Sequence, residues 1–461
     1  MELFEDFRIG NVLLRNRLIM APVKTGFGTA TSEVTYRHYS FYRRRAEGGV
    51  GAIIVEPFFI DPVGKEHPKQ LGLSTYNQVE GLKTLTSIIH DYGSVAIAHL
   101  NHAGRAANPK ASGKTPEAPS VVKCPTTGMT PVAMTVERIS QIIREFSGAA
   151  GRAVEAGFDI IELQFGLGYL ISQFISSSTN LRRDEYGGSR VNRLKLGKQV
   201  LEAVRAAAGF QVPIIARLSS SLRGDGKDLD DGVFLAKWLE NQGVAALHVA
   251  SGSVCDSPAW YYQHMRIPEG QNLDWASTIK NKVSIPVVAA GRMGNPEVIR
   301  DCIAGEAVDA VALGRPLVVD PDFPNKLKTG DDLDIIPCGA CMQGCLVGVR
   351  SGYGLRCIVN PEVGHEGEFI KKTEYPGKVL VVGGGPAGMQ AALTAQSRGY
   401  DVELYDEAEL GGQFNLAVIP PGKEEMKKPL NAMINRIHRK NITLHLNLSL
   451  IHISEPTRLR R

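Results

Sequence analysis

The stretch "IPVVAAGRMGNPEVIRDCIAGEAVDAVALGRP", residues 285–316, reads as strand, helix, strand. Its two apolar runs, "IPVVAAG" and "DAVALG", are continuous rather than alternating, so each is expected to be buried on both faces, as in a parallel sheet. The segment between them, 294–304, is amphipathic with a helical period. Both runs end on Gly-Arg. Six more such runs precede them: "RLIMAP", "GAIIVEP", "VAIAHL", "FDIIELQ", "PIIARLS" and "AALHVAS". Further amphipathic segments lie at 136–156, 190–208 and 231–242. Eight strand-then-helix units predict an α/β chain folded as a (β/α)8 TIM barrel, with an open doubly wound sheet as the alternative.

Barrel enzymes place their chemistry at the C-terminal ends of the strands. Here those ends carry Pro22-Val23-Lys24, Glu56, His99, Gln164 to Tyr169, Arg217, Ser251 to Cys255, Gly291-Arg292 and Gly314-Arg315. Glycine–arginine pairs after strands seven and eight suit a phosphate, because backbone N–H groups approach closely and a guanidinium adds a fork. Arg217 inside a barrel strand is costly unless something electron-rich faces it. A reduced flavin would serve; an internal ion pair with Glu162 or Glu56 is the alternative. The polar insertion 101–135 is too long for a simple connection and is expected to pack over the barrel mouth.

Four of the seven cysteines fall in "CGACMQGC" and "LRCIVNP", giving C-x2-C-x3-C-x11-C over Cys338, Cys341, Cys345 and Cys357. Four thiolates from one short segment can hold a [4Fe–4S] cluster. Structural zinc competes, but zinc ribbons bring together two C-x2-C pairs, whereas three cysteines are crowded here. Cys124, Cys255 and Cys302 are scattered and read as small packing residues.

Downstream, "KVLVVGGGPAGMQAALTAQSRGYDVELYDE" places Gly383, Gly385 and Gly388 in a G-x-G-x-x-G turn between strand and helix, with Asp406 closing the next strand. That combination predicts dinucleotide binding. "GGQ", ending at Gln413, fits an FAD-type version. The expected organisation is a barrel over 1–335, a cluster segment and linker over 336–376, and an incomplete Rossmann-like FAD-binding domain over 377–447. Residues 448–461 contain "LSLIHISEPTR", which resembles a translated sequencing adapter, and are expected to be a non-native tail.

Hydrophobic residues make up 43% of the 461 and charged residues 22%, with a net charge of +4. Lys and Arg form no blocks, which fits a solvated surface better than nucleic-acid or membrane binding; the expected partner is a small-molecule substrate. Homo-oligomerisation stays open. No run of eighteen apolar residues exists, and the start "MELFEDFRIG" has no apolar core of a secretory signal, so a cytoplasmic location is expected.

"HLNHAGR", "ELQFGLGYLISQF", "STNLRRDEYGGSRVNR" and the cysteine run resemble the Old Yellow Enzyme family. The closer resemblance is to its iron–sulfur flavoprotein branch, which includes 2,4-dienoyl-CoA reductase, clostridial enoate reductases and trimethylamine dehydrogenase. It covers residues 1 to 447. The resemblance implies FMN in the barrel, a [4Fe–4S] cluster beside it and FAD in the second domain. In the reductases NAD(P)H feeds FAD, electrons pass singly through the cluster to FMN, and hydride goes to an activated C=C bond. It implies FMN contacts from Pro22, Val23, Lys24, His99, Arg217, Gly291, Arg292, Gly314 and Arg315, although the family usually has Gln at position 99. Tyr169 matches the tyrosine that protonates the substrate carbon opposite the hydride. Many members carry two His, or His and Asn, at positions 164 and 167 to hold the substrate carbonyl. Gln164 can still donate a hydrogen bond, Leu167 cannot, and Lys24 is the compensating cation. The dienoyl-CoA reductase has a catalytic His after strand six, where this chain reads "SGSVCDSPAW"; dienoyl-CoA is therefore not the expected substrate. The expected function is an NAD(P)H-dependent ene-reductase. The alternatives are an amine dehydrogenase with a cage from Trp260, Tyr261 and Tyr262, or a non-catalytic electron-transfer barrel.

Overall fold

All eight apolar runs are strands, and they close into one ring. The computed structural model of the protein describes residues 1–222, 226–368 and 371–448. The strands are β1 (Leu18–Met20), β2 (Ala52–Ile54), β3 (Val95–Asn101), β4 (Ile160–Gln164), β5 (Ile214–Ser219), β6 (Ala246–Ala250), β7 (Val287–Ala290) and β8 (Ala310–Leu313). Each pairs in parallel with the next, and β8 returns to β1, so the sheet is closed and the open-sheet alternative is excluded.

A helix follows every strand: α1 (Tyr36–Glu47), α2 (Val79–Asp91), α3 (Val136–Glu155), α4 (Arg190–Ala208), α5 (Leu229–Asn241), α6 (Leu273–Lys280), α7 (Pro296–Ala304) and α8 (Phe323–Thr329). Local chemistry fixes where several begin. Thr135, Ser189 and Asn295 accept hydrogen bonds from Arg138, Asn192 and Glu297 backbone N–H groups, satisfying donors that a helix start leaves open. Pro296 at the first position of α7 has no N–H to satisfy.

Two apolar layers hold the barrel. The outer one lies between strands and helices. The inner one fills the lower barrel with Ile19, Ile54, Ile97, Ile160, Ile215 and Val288, against which an N-terminal hairpin (Phe7–Ile9 with Val12–Leu14) packs Phe7, Ile9 and Leu14. Each such side chain, fully buried, contributes about 1.5–3 kcal/mol. The bottom is therefore packed shut by apolar residues, and the polar side chains are left to the mouth.

Residues after the barrel form the expected second unit. Strands β9 (Lys378–Val382), β10 (Asp401–Tyr405) and β11 (Ile442–His445) are parallel, with α9 (Pro386–Ser397) and α10 (Lys427–Arg439) packed on them. Of residues 448–461, where the tail was expected, Leu448 is described and donates its N–H to the Asp406 carbonyl at 3.0 Å, while 449–461 lie outside the described residues. Among the described residues no helix is long and apolar enough to cross a membrane.

The cysteine reading needs one correction. Cys302 is buried and free, but Cys124 and Cys255 are disulfide-bonded across 131 residues of sequence, their Cα atoms 5.3 Å apart. The two were read as independent packing residues because nothing local marks a contact between the insertion and the β6–α6 loop. The same pair of segments is joined by Thr126 Oγ1 donating to the Cys255 carbonyl at 2.8 Å and by an Arg105–Asp256 ion pair at 2.5 Å. Converting Cys255 to Ser should cost about 2–4 kcal/mol, measured as a drop in Tm that reductant reproduces in the native protein. A variant as stable as the parent would mean the other two links suffice.

Candidate active site

A cavity of about 680 Å³ opens at the C-terminal ends of the strands. Its lining includes Pro22, Val23, Lys24, Arg217, Gly291, Arg292, Gly314 and Arg315, drawn from four strand ends. The insertion supplies another wall through Ala106 to Lys110 and Thr126, Thr127 and Met129, so it does pack over the mouth.

The donors on this lining fit a flavin phosphate and ring. Arg217 Nε, Arg292 Nε and Arg315 Nη1 are buried without a hydrogen-bond partner. Burying such donors is costly unless a bound group satisfies them. Gly291 has φ +117°, and a Cβ there would lie 2.5 Å from Gln263 Oε1, so only glycine leaves the backbone free at that wall. Gln263 was not singled out from sequence. It lines the cavity, donates to Ser251 Oγ at 2.7 Å and keeps a buried, unpartnered Oε1. Arg292 also pairs with Glu425 of the second unit at 2.7 Å.

The alternative partners of Arg217 are taken. Glu162 accepts from His99 Nδ1 at 2.5 Å and His248 Nδ1 at 2.7 Å, and Glu56 is bonded to His38 and Thr25. Burial alone would raise the Glu162 pKa, but the two imidazoles outweigh it and hold the carboxyl well below its usual range. Burial pushes both imidazoles down as well. All three observations describe one state: an ionised Glu162 accepting from two neutral histidines.

His99 and Gln164 are not where the resemblance would put them. Both are buried, and among the described residues neither contributes to the cavity lining. His99 is turned to Glu162, while Gln164 Nε2 sits 3.4 Å from His99 Nε2 and its Oε1 accepts from Gly166 N–H.

Tyr169 is also set back. It is 1% exposed, lies at the start of the short helix Leu170–Ile175, and is absent from the lining among the described residues. Its hydroxyl joins a four-member cluster: Lys24 Nζ at 3.0 Å, Glu66 Oε1 at 2.9 Å and the Tyr261 hydroxyl at 2.6 Å. Lys24 and Glu66 form an ion pair at 2.5 Å. Burial would lower the Lys24 pKa, but Glu66 more than compensates and leaves the ammonium charged. Burial and then the Glu66 carboxylate push the Tyr169 phenol well up. Glu66 carried no sequence signal, since it lies in a loop far from any strand end.

Buried neutral histidines near the mouth give a pH dependence. Burial holds His67 and His102 at about 4 each. His102 Nδ1 accepts from Gly104 N–H at 3.0 Å, which requires the neutral ring. An unfolded histidine titrates near about 6.5. Below that pH the unfolded chain takes up protons that the folded chain refuses, so stability is full above about 6.5 and declines as pH falls towards 4. Tm should therefore drop between about pH 7 and pH 5; a level or rising Tm contradicts this assignment.

The four cysteines Cys338, Cys341, Cys345 and Cys357 come together on a second, small cavity. Cys338, Cys345, Met342 and Arg315 line both cavities, so the two share a wall. Ala340 N–H donates to Cys338 Sγ and Val359 N–H to Cys357 Sγ, each at 3.4 Å. Ala340 (φ +48°) and Met342 (φ +58°) both hold left-handed backbone, an expense concentrated at functional turns. Burial raises the thiols of Cys338 and Cys345 while the Arg315 cation opposes it. Among the described residues no three His, Cys, Asp or Glu side chains are grouped as ligands of a single ion.

In the second unit, Gly383 (φ +101°) and Gly388 form the tight turn, where a Cβ on Gly388 would collide with the Gly383 carbonyl. Asp406 accepts from Gly384 N–H at 2.5 Å and Ala408 N–H at 2.7 Å, locking the Gly383–Gly385 loop over β10. Gly385 caps the start of α9, and Gln413 precedes the short helix Phe414–Ala417.

Comparison with known proteins agrees with this layout. The NADH:flavin oxidoreductase / NADH oxidase family matches residues 2–334, and the pyridine nucleotide-disulphide oxidoreductase family matches residues 377–458. An NADH oxidase of Thermoanaerobacter brockii is 41% identical over 433 residues, covering 92% of this chain and 66% of its own length. A cinnamate reductase of Clostridium sporogenes is 32% identical over 461 residues, covering 94% and 68%. This chain thus spans about two thirds of the length of these relatives. Among solved structures, a 2-naphthoyl-CoA reductase in complex with 2-naphthoyl-CoA superposes with a TM-score of 0.91 at 29% identity, over 97% of this chain and 71% of that one. Histamine dehydrogenase from Rhizobium sp. 4-9 gives 0.87 at 27% identity, over 97% and 66%. The closed barrel, the arginine-and-glycine lining and these matches make the chain a member of the NADH:flavin oxidoreductase / NADH oxidase family.

Proposed function

We propose that this protein reduces the activated C=C bond of an α,β-unsaturated carbonyl compound, using FMN in the large cavity, a [4Fe–4S] cluster on the four cysteines, and FAD and NAD(P)H at the second unit. One observation carries the reading: Lys24, Glu66 and Tyr261, with Tyr169 hydrogen-bonded behind them, stand on the wall of the cavity whose arginines suit FMN. FMN supplies hydride when bound, and the cluster and FAD supply electrons to it. Pro22, Val23, Gly291 and Gly314 would line the ring and phosphate with backbone, and Arg217, Arg292 and Arg315 would hold their electron-rich atoms. Lys24 presents positive charge to a carbonyl oxygen, where an enolate would develop. The tyrosine pair holds the proton that the α-carbon needs.

The shared wall formed by Arg315, Cys338 and Cys345 supports a short path between flavin and cluster. The backbone N–H groups aimed at Cys338 and Cys357 are of the kind that tune such clusters.

An amine dehydrogenase needs aromatic faces free for a cation. Here Lys24 Nζ already lies 5.5 and 5.8 Å from the Tyr169 and Tyr261 rings, and the Arg350 guanidinium 5.1 Å from the Tyr262 ring. Trp260 packs on Trp275. These cations stand at the hydroxyl ends of the three tyrosines, and their charge would repel an amine brought against the rings. The test is anaerobic mixing with a panel. Dithionite-reduced protein should be reoxidised by enones or enoates with formation of the saturated product, and oxidised protein should not be reduced by histamine or methylated amines. Reduction by an amine, with enones inert, would favour the dehydrogenase.

A further inference from the structure

The acid that protonates the substrate carbon need not be the tyrosine that matches the family position. Tyr169 is 1% exposed and, among the described residues, does not reach the cavity, whereas Tyr261 and Tyr262 line it. Tyr261 comes from the helix Pro258–Tyr262 in the β6–α6 loop, where the disulfide and Arg105–Asp256 fix the preceding turn. Its ring meets Tyr169 edge to face at 6.2 Å, and its hydroxyl lies 2.6 Å from the Tyr169 hydroxyl and 3.4 Å from Lys24 Nζ.

We infer that Tyr261 is the catalytic acid facing the substrate α-carbon, and that Tyr169 is a positioning residue acting through its oxygen; this rests on the ene-reductase reading. The step balances simply. The Tyr261 O–H bond breaks, a C–H bond forms at the α-carbon of the enolate, and the charge moves from enolate oxygen to phenolate oxygen. The phenolate then accepts from the Lys24 ammonium, already within reach, and from the Tyr169 O–H, which turns to it from Glu66 Oε1. Water in the open cavity restores the proton once product leaves. Tyr169 suits the donor role because burial and Glu66 make it hold its proton, so it stays an O–H that can turn to Tyr261. Glu66 keeps Lys24 charged and in place. Tyr262 lines the same wall, but no hydrogen bond joins its hydroxyl to this cluster among the described residues; Arg350 donates to it at 2.9 Å instead.

The experiment compares wild type, Tyr261→Phe and Tyr169→Phe, each reconstituted with FMN, reduced with dithionite and mixed anaerobically with an enone across a range of pH. Flavin content reports folding. Tyr261→Phe should slow enone-driven reoxidation by roughly 10² to 10⁴. Tyr169→Phe removes one hydrogen bond to the developing phenolate and should cost roughly 10- to 10²-fold. Without that donor the Tyr261 oxygen holds its proton more tightly, so the basic limb of the rate profile should move to higher pH, which loss of packing alone would not produce. If Tyr169→Phe loses as much as Tyr261→Phe or more, with no shift of the basic limb, Tyr169 is the acid and the inference is overturned. Wild type that reacts with enones while Tyr261→Phe matches it also overturns the inference alone. Wild type that oxygen reoxidises but no enone does overturns the ene-reductase reading and the inference with it.

Discussion

Replacing Arg217 with Met should weaken FMN binding by roughly 10- to 10²-fold and leave the apoprotein as stable as before, or more so. Arg217 projects from the middle of β5, paired in register with Gln164 on one side and His248 on the other. Its Nε is buried with no partner, and the carboxylates that could have answered it are bound elsewhere. A guanidinium so placed is a net cost to the empty barrel, and an apolar side chain of similar length removes that cost. In the proposed FMN complex it would make charge-assisted hydrogen bonds, worth about 1.5–3 kcal/mol each to a charged partner, which sets the expected loss. Fluorescence titration of apoprotein with FMN gives the affinity, and a thermal melt gives the stability. A Met variant that melts well below the parent and binds FMN normally would show that Arg217 is structural.

Cys345→Ser should abolish retention of iron while leaving FMN in place. Cys345 opens the short helix Cys345–Arg350 and lies on the wall common to both cavities. A cubane needs one thiolate per iron, and a hydroxyl is a poor substitute for the soft ligand that such clusters select. Iron should fall from about four per chain to near none, measured on protein purified without oxygen. Retention of a full complement by the Ser variant would remove Cys345 from the ligand set. Loss of FMN together with iron would show instead that the segment is needed to hold the barrel mouth.

The architecture was legible because each barrel strand is buried on both faces, which leaves an unbroken apolar run that no exposed strand would tolerate. The glycine–arginine pairs after β7 and β8 were legible for a similar reason: their chemistry is local, and both pairs reach the cavity. What the sequence concealed are contacts between distant segments. Lys24, Glu66, Tyr169 and Tyr261 come from four different parts of the chain, and nothing in any one of them marks the other three. Cys124 and Cys255 were hidden in the same way. His99 and Gln164 sit at the expected height on their strands but turn towards Glu162 and each other, a choice made by neighbouring strands and not by the residues themselves. Tyr261 was legible only as an aromatic, and the role proposed for it depends on which of two tyrosines the folded wall leaves exposed.

The wall shared by the flavin cavity and the cysteine cavity is tested most directly by counting metals and flavin in the same anaerobically purified sample. The expected result is about four irons, one FMN and no zinc per chain, with all of the iron lost when the cysteines are removed. One zinc and no iron, with FMN still bound, would contradict it: the four cysteines would then brace the fold, and no electron path would run beside Arg315.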